Sequence, residues 1–179
     1  MSTILEFLEF IEQPGNQSVR DLLDRVLMKA REMTGAEAGS IFIVRKSGRQ
    51  DWLVANSIQN DKIKLSKADF RIPIVSTSIA GYVASTAETV LIDDLYAIPK
   101  NVSFDFDQSF DKATGYRSRS MLAFPLTNFQ KKVIGVVQLI NRRKGNRVSP
   151  VAFEDKQTDL ILPFNQIVGR VIERADMLE

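Results

Sequence analysis

Neither cysteine nor histidine occurs among the 179 residues, and each absence closes off chemistry. Without thiols there is no disulfide, no thiolate metal site, no thioether-linked chromophore and no cysteine nucleophile. Without imidazole, the commonest general acid and base, the usual zinc ligand sets and a histidine-ligated haem are gone as well. Catalysis would have to run on carboxylate, lysine, tyrosine or serine groups, and the sequence presents no recognisable pairing of nucleophile and base, so a non-catalytic role is expected. Charge of one sign is also scarce: 24 Lys and Arg against 22 Asp and Glu leave a formal net charge of +2, too little to compel a nucleic-acid or anionic-membrane partner. No apolar run is long enough to span a bilayer. The first residues carry Glu6, Glu9 and Glu12 where a secretory signal would be basic. A cytoplasmic setting is expected, since a chain without cysteine is compatible with reducing conditions.

What is present supports one domain, because 44% hydrophobic residues in a chain of this length fill a single ordinary core. Thr3 and Glu6 form a capping-box pattern ahead of Leu5, Phe7, Leu8, Phe10 and Ile11, so residues 1–15 read as an N-terminal helix stopped by Pro14 and Gly15. Residues 16–179 form the main domain. Within it, Val19, Leu22, Leu23, Val26, Leu27, Ala30 and Met33 recur at helical spacing between Ser18 and Gly35. Ser40-Ile41-Phe42-Ile43-Val44 predicts a strand covered on both faces, and Trp52 to Ile58 a second. Phe70, Ile72 and Ile74 predict a third, placed near an edge by Pro73. Ser78 caps a short helix reaching to Glu88, Thr89 to Ile92 form a short strand, and Asp93-Asp94 open another brief helix. Residues 99–117 form a long connection of the kind that is usually functional or mobile. Strands at 120–126 and 133–140 make a hairpin around residues 127–132. Ser149-Pro150 signals a last helix, carried by Leu160, Phe164, Ile167, Val168, Val171 and Ile172, which Pro163 kinks or divides. The order favours an α+β fold with an antiparallel sheet and helices packed mainly on one face.

Several ordered motifs carry a resemblance. Ser78-Ile79-Ala80-Gly81-Tyr82-Val83-Ala84 is followed by Leu91-Ile92-Asp93-Asp94, then by Asp111-Lys112-Ala113-Thr114-Gly115-Tyr116-Arg117-Ser118-Arg119-Ser120-Met121-Leu122, and finally by Val133-Ile134-Gly135-Val136-Val137-Gln138-Leu139-Ile140-Asn141. Across roughly residues 18 to 175 the chain resembles the GAF family, and within it the GAF domains of cyclic-nucleotide phosphodiesterases and bacterial adenylyl cyclases. The resemblance implies a six-stranded antiparallel sheet. The N- and C-terminal helices lie on one face, and short helices with the long loop roof a ligand pocket on the other. It also implies a homodimer through the terminal helices and an output domain elsewhere in the protein.

The same resemblance supplies site residues. Ile79 and Ala80 match positions whose backbone amides face a phosphate, and the helix start at Ser78 can favour an anion or be an ordinary cap. Asp93 and Asp94 either accept bonds from a ligand's amino or hydroxyl groups at the pocket rim or cap a helix. Ser40 either points its hydroxyl at a base or is a satisfied strand serine. Tyr116 and Ser118 complete the candidate ligand-binding set, with cyclic AMP or cyclic GMP as the implied ligand. A further signature pairs Asn141-Arg142 with Phe153, but the acidic pair expected four residues later is replaced by Gln157 and Thr158. The pattern therefore does not supply its usual ion pair. One branch of the family reduces free methionine sulfoxide, a reaction that needs the cysteines this chain lacks. The alternating Asp105, Asp107 and Ser109 look superficially like a calcium loop, yet Phe110 stands at the glycine position and Tyr116 at that of the bidentate glutamate, so a solvated loop is expected. Arg142, Arg143, Lys144 and Arg147 have no interleaved aromatics and read as a basic turn, not a nucleic-acid surface.

Overall fold

The computed structural model describes residue 9, residues 18–65 and residues 70–178; the expected helix over residues 1–15 therefore lies almost wholly outside the described residues. The first described helix, α1 (Val19–Thr34), begins where the Ser18 hydroxyl accepts a bond from the Asp21 amide at 3.2 Å. It ends where Gly35 turns left-handed at φ 77°, with its amide bonded to the Arg31 carbonyl. There follow β1 (Ala36–Ser47), β2 (Gln50–Asn60), β3 (Arg71–Pro73), α2 (Ile79–Thr86) and β4 (Val90–Ile92). The chain continues through α3 (Ser109–Thr114), β5 (Met121–Thr127), β6 (Val133–Arg142) and α4 (Asp155–Leu178). The six strands form one sheet in the order β3-β2-β1-β6-β5-β4, with every neighbouring pair antiparallel. Pro73 sits on the edge strand, where its missing donor is tolerated.

Alternation along the strands divides the core into two layers. Ile41 and Ile43 of β1 join Leu122, Phe124 and Leu126 of β5 and Val137 and Leu139 of β6 in a cluster with Leu23, Val26 and Leu27 of α1 and Ile161, Val168 and Ile172 of α4. Phe42 of β1, Leu53 of β2 and Val136 of β6 face the other way, into a cluster with Ile79, Ala80 and Val83 of α2. The register slips between Ile41 and Phe42, which pair with Ser57 and Ala55, so Asn56 is an extra residue in β2. That bulge keeps both faces apolar: it turns Ser57 toward α1, where its hydroxyl donates to Asp24 at 2.5 Å, and Ala55 toward the α2 layer.

Four local expectations are corrected. Residues 149–152 do not start a helix: the Val151 amide donates to the Arg142 carbonyl at 2.8 Å and the Ser120 hydroxyl donates to the Val151 carbonyl at 2.7 Å, holding this stretch extended until α4 begins at Asp155. Asp93-Asp94 open a turn, not a helix, because the Leu95 amide is drawn to the Arg119 carbonyl at 2.7 Å while Asp94 accepts from the Tyr96 amide. The long connection contains helix α3. Finally, Pro163 does not divide the last helix: α4 runs on through it, with the proline at an exposed position where water can satisfy the carbonyl that loses its partner.

Candidate functional site

The residues expected to hold a ligand are not brought together in one place. Ser40, Ser78, Ile79 and Ala80 belong to the face between the sheet and α2. Ser40 shares the orientation of Phe42, lies opposite Ile58 and Gln138 on the neighbouring strands, and is 7% exposed. Its hydroxyl has no hydrogen-bond partner among the described residues, so on this apolar face it is an uncommitted polar group.

The start of α2 is closely built. The Ser78 hydroxyl accepts from the Gly81 amide at 3.0 Å and the Ser78 carbonyl from the Tyr82 amide at 2.9 Å. A side chain on Gly81 would lie 2.6 Å from the Ser78 hydroxyl and 2.8 Å from the Val75 nitrogen, so only glycine permits this approach. The Asp105 amide donates to the Thr77 carbonyl at 3.0 Å in a short parallel bridge at Ser78. In such a bridge the next amide, that of Ile79, faces the Asp105 carbonyl. The Ala80 amide is left without a partner among the described residues, at a helix end whose dipole favours negative charge.

The long loop closes on this face through aromatic contacts. The Phe104 ring packs on Tyr82 with centroids 5.0 Å apart, and Phe106 meets Tyr96 edge-on at 5.5 Å. The Arg117 guanidinium lies 3.6 Å above the Tyr96 ring. Ser118 belongs to the same fastening: its amide and hydroxyl both donate to the buried Asp111 carboxylate at 2.8 Å, which also accepts from the Tyr96 hydroxyl at 2.5 Å. That bond is the main reason the Tyr96 phenol is raised above its ordinary pKa. Asp107 turns to its own loop, and the Ser109 hydroxyl bond holds its carboxyl below the usual range.

Tyr116 lies apart from the α2 face, at the centre of a buried polar network. Its hydroxyl donates to Glu37 at 2.5 Å and accepts from the Asn141 side chain at 2.8 Å. Burial first, and then the Glu37 bond, push its phenol well above the ordinary value. Glu37, 4% exposed, is neutralised by Arg143, whose Nη2 and Nε lie 2.5 and 2.8 Å from Oε1. Asn141, left-handed at φ 60°, also accepts from the Arg119 and Ser120 amides and donates to the Arg117 carbonyl. The network ties β1 and β6 to the end of the long loop. Sequence reading passed over Glu37, though a lone carboxylate in the otherwise apolar Ala36-Glu37-Ala38-Gly39 was its signal; nothing in the pattern marked Asp111 as an anchor.

Asp93 is exposed and Asp94 half-buried. Phe153 is buried, and Gln157 accepts from the Glu154 amide at 2.7 Å while the buried Thr158 hydroxyl is unpaired. Arg142 finds its carboxylate one residue after Phe153, at Glu154, 3.6 Å away.

Comparison with known proteins agrees with this architecture. The model of the GAF domain family matches residues 18–171. A cGMP-specific 3',5'-cyclic phosphodiesterase of Drosophila virilis is 26% identical over 181 residues, covering 97% of this chain but 19% of that protein. The chain thus spans less than a fifth of that relative's length. Among solved structures, a methyl-accepting chemotaxis protein segment, residues 122 to 287, superposes with a TM-score of 0.70 at 17% identity, covering 99% of each chain. The GAF domain of a phosphoenolpyruvate-protein phosphotransferase from Coxiella burnetii gives 0.72 at 14% identity, covering 98% of this chain and 94% of the other. Among the described residues no helix is long and apolar enough to cross a membrane.

Proposed function

The chain belongs to the GAF domain family, regulatory sensor modules found in phosphodiesterases and other signalling proteins, and on that premise we propose that it binds a small molecule between the sheet and α2. A cyclic nucleotide is the first candidate. In this reading the Ala80 amide meets the phosphate, Ser40 meets the base, and Asp93 or Asp94 accepts a donor at the rim. The long loop is the lid, and its fastening by Phe104 on Tyr82 and Phe106 on Tyr96 is the observation that carries the proposal. Binding changes the relation between terminal helices in a homodimer and biases an output domain elsewhere in a cytoplasmic protein; such coupling requires different ligand affinity in the two states. Tyr116 and Ser118 act by holding the loop end. Isothermal titration with cyclic AMP and cyclic GMP tests the proposal: heat with one of them, abolished by Ala80→Trp, is expected, and no heat with either sinks the cyclic-nucleotide version.

A second reading is a structural dimerisation module with a vestigial pocket. It is favoured by the packing of the α2 face with the chain's own Phe42, Leu53, Val83 and Met121, and by Gln157 and Thr158 at the positions of the acidic pair. Removing residues 1–12 would then weaken the dimer. A monomer at micromolar concentration, with or without those residues, would eliminate this reading.

A further inference from the structure

We infer that a second, anion-binding site lies outside the α2 face, in the open depression of about 520 Å³ between the turn at Asp93 and the segment joining β6 to α4. Its lining includes Arg119 and Arg147, both exposed, and neither side chain has a hydrogen-bond or ion-pair partner among the described residues. The exposed hydroxyl of Ser149 lies in the same lining. The backbone at Arg119 and at Val151 and Ala152 is fixed. Arg119 donates its amide to Asn141 at 2.7 Å and accepts the Leu95 amide at 2.7 Å, so its side chain springs from a pinned residue. Val151 is bonded to Arg142 and Ser120, and the Arg142 guanidinium donates to the Ala152 carbonyl at 3.0 Å. Two other cations of this basic turn are differently placed: Arg142 is engaged with Glu154 and Arg143 with Glu37.

Two arginines without side-chain partners among the described residues, on the lining of one hollow, match phosphate or carboxylate, which arginine binds with paired donors. Asp93, on the same lining and likewise without a partner among the described residues, would repel a bare polyanion but accept an amino or hydroxyl donor. The site therefore takes a small molecule bearing one phosphate or carboxylate together with a hydrogen-bond donor. It does not depend on cyclic-nucleotide binding at the α2 face.

The test follows backbone amide resonances of the full chain during separate titrations with inorganic phosphate, phosphoserine and citrate, each against sodium chloride at matched ionic strength. Saturable shifts of Arg119, Arg147, Val148, Ser149, Val151 and Ala152 are expected with phosphate or citrate, strongest with phosphoserine. Affinity should be about tenfold weaker for each arginine lost in R119Q and R147Q, the effect of removing one charge-assisted contact. Citrate against phosphate distinguishes a carboxylate from a phosphoryl ligand. Shifts that never saturate, that sodium chloride reproduces, or that survive unchanged in R119Q/R147Q would overturn the inference. A failure of cyclic nucleotides to bind would leave these readouts untouched.

Discussion

Replacing Gly169 by alanine sets two effects of opposite sign against each other. In the middle of a helix alanine is favoured over glycine by about 1 kcal/mol. Gly169, however, is buried where α4 crosses the end of β5, and an added methyl would fall 2.7 Å from the Thr127 carbonyl carbon and 3.2 Å from its nitrogen, closer still to the carbonyl oxygen. Carbon atoms rest at about 3.5–4.0 Å, and the obstructing atoms are backbone, which cannot rotate aside. Helix or hairpin must withdraw by roughly an ångström, opening the layer that joins Val168 and Ile172 to Phe124 and Leu126. Overpacking of this kind costs about 1–3 kcal/mol, so the net loss expected for Gly169→Ala is about 0–2 kcal/mol, toward the upper end because the obstruction is backbone. Equilibrium urea unfolding reads it as a lower midpoint at unchanged slope. A midpoint raised by the propensity gain alone would mean that α4 does not approach β5 this closely.

Tyr116→Phe removes a buried donor to Glu37 and should cost about 1–2 kcal/mol at neutral pH by chemical denaturation. Because the folded phenol is raised above its ordinary value of 10.0, the folded state keeps a proton that the unfolded state loses. The contribution is complete below pH 10.0 and is lost as pH rises from there toward the higher folded value, so the variant's stability should fall less steeply on the alkaline side. An identical alkaline slope would refute that assignment. Asn141→Ala should lose about 3 kcal/mol, from several buried hydrogen bonds at about 1 kcal/mol each, and Asn141→Gly should recover about 1 kcal/mol of this by relieving the left-handed backbone. Equal thermal unfolding of the two variants would remove the backbone part of that account.

The layered α+β architecture was legible because periodicity is a local property. The helical spacing from Val19 to Met33 and the two-sided apolar run from Ser40 to Val44 placed α1 and β1, and the edge position of β3 followed from Pro73. The six-stranded antiparallel sheet came from the family resemblance and its strand order only from the structure, since antiparallel pairing between strands far apart in sequence leaves no local trace. The local errors were decided by distant partners. Ser149-Pro150 resembles a helix start, but Ser120 and Arg142 hold the following residues extended. Asp93-Asp94 resembles a cap, but Arg119 draws the chain into a turn. The tyrosine network escaped notice because Glu37, Tyr116 and Asn141 meet only in three dimensions, whereas Ser40 and Ala80 could be placed on one face from motif and alternation together.

Ligand binding beneath α2 is to be read on that face. Amide resonances of the isotopically labelled full chain, followed during addition of cyclic AMP and, separately, cyclic GMP, test it most directly. Saturable shifts at Ser40, Ile79 and Ala80, with Phe104 to Phe106 of the lid, are predicted for one nucleotide. No saturable shift with either, or shifts confined to residues 147–152, would contradict a cyclic-nucleotide site beneath α2.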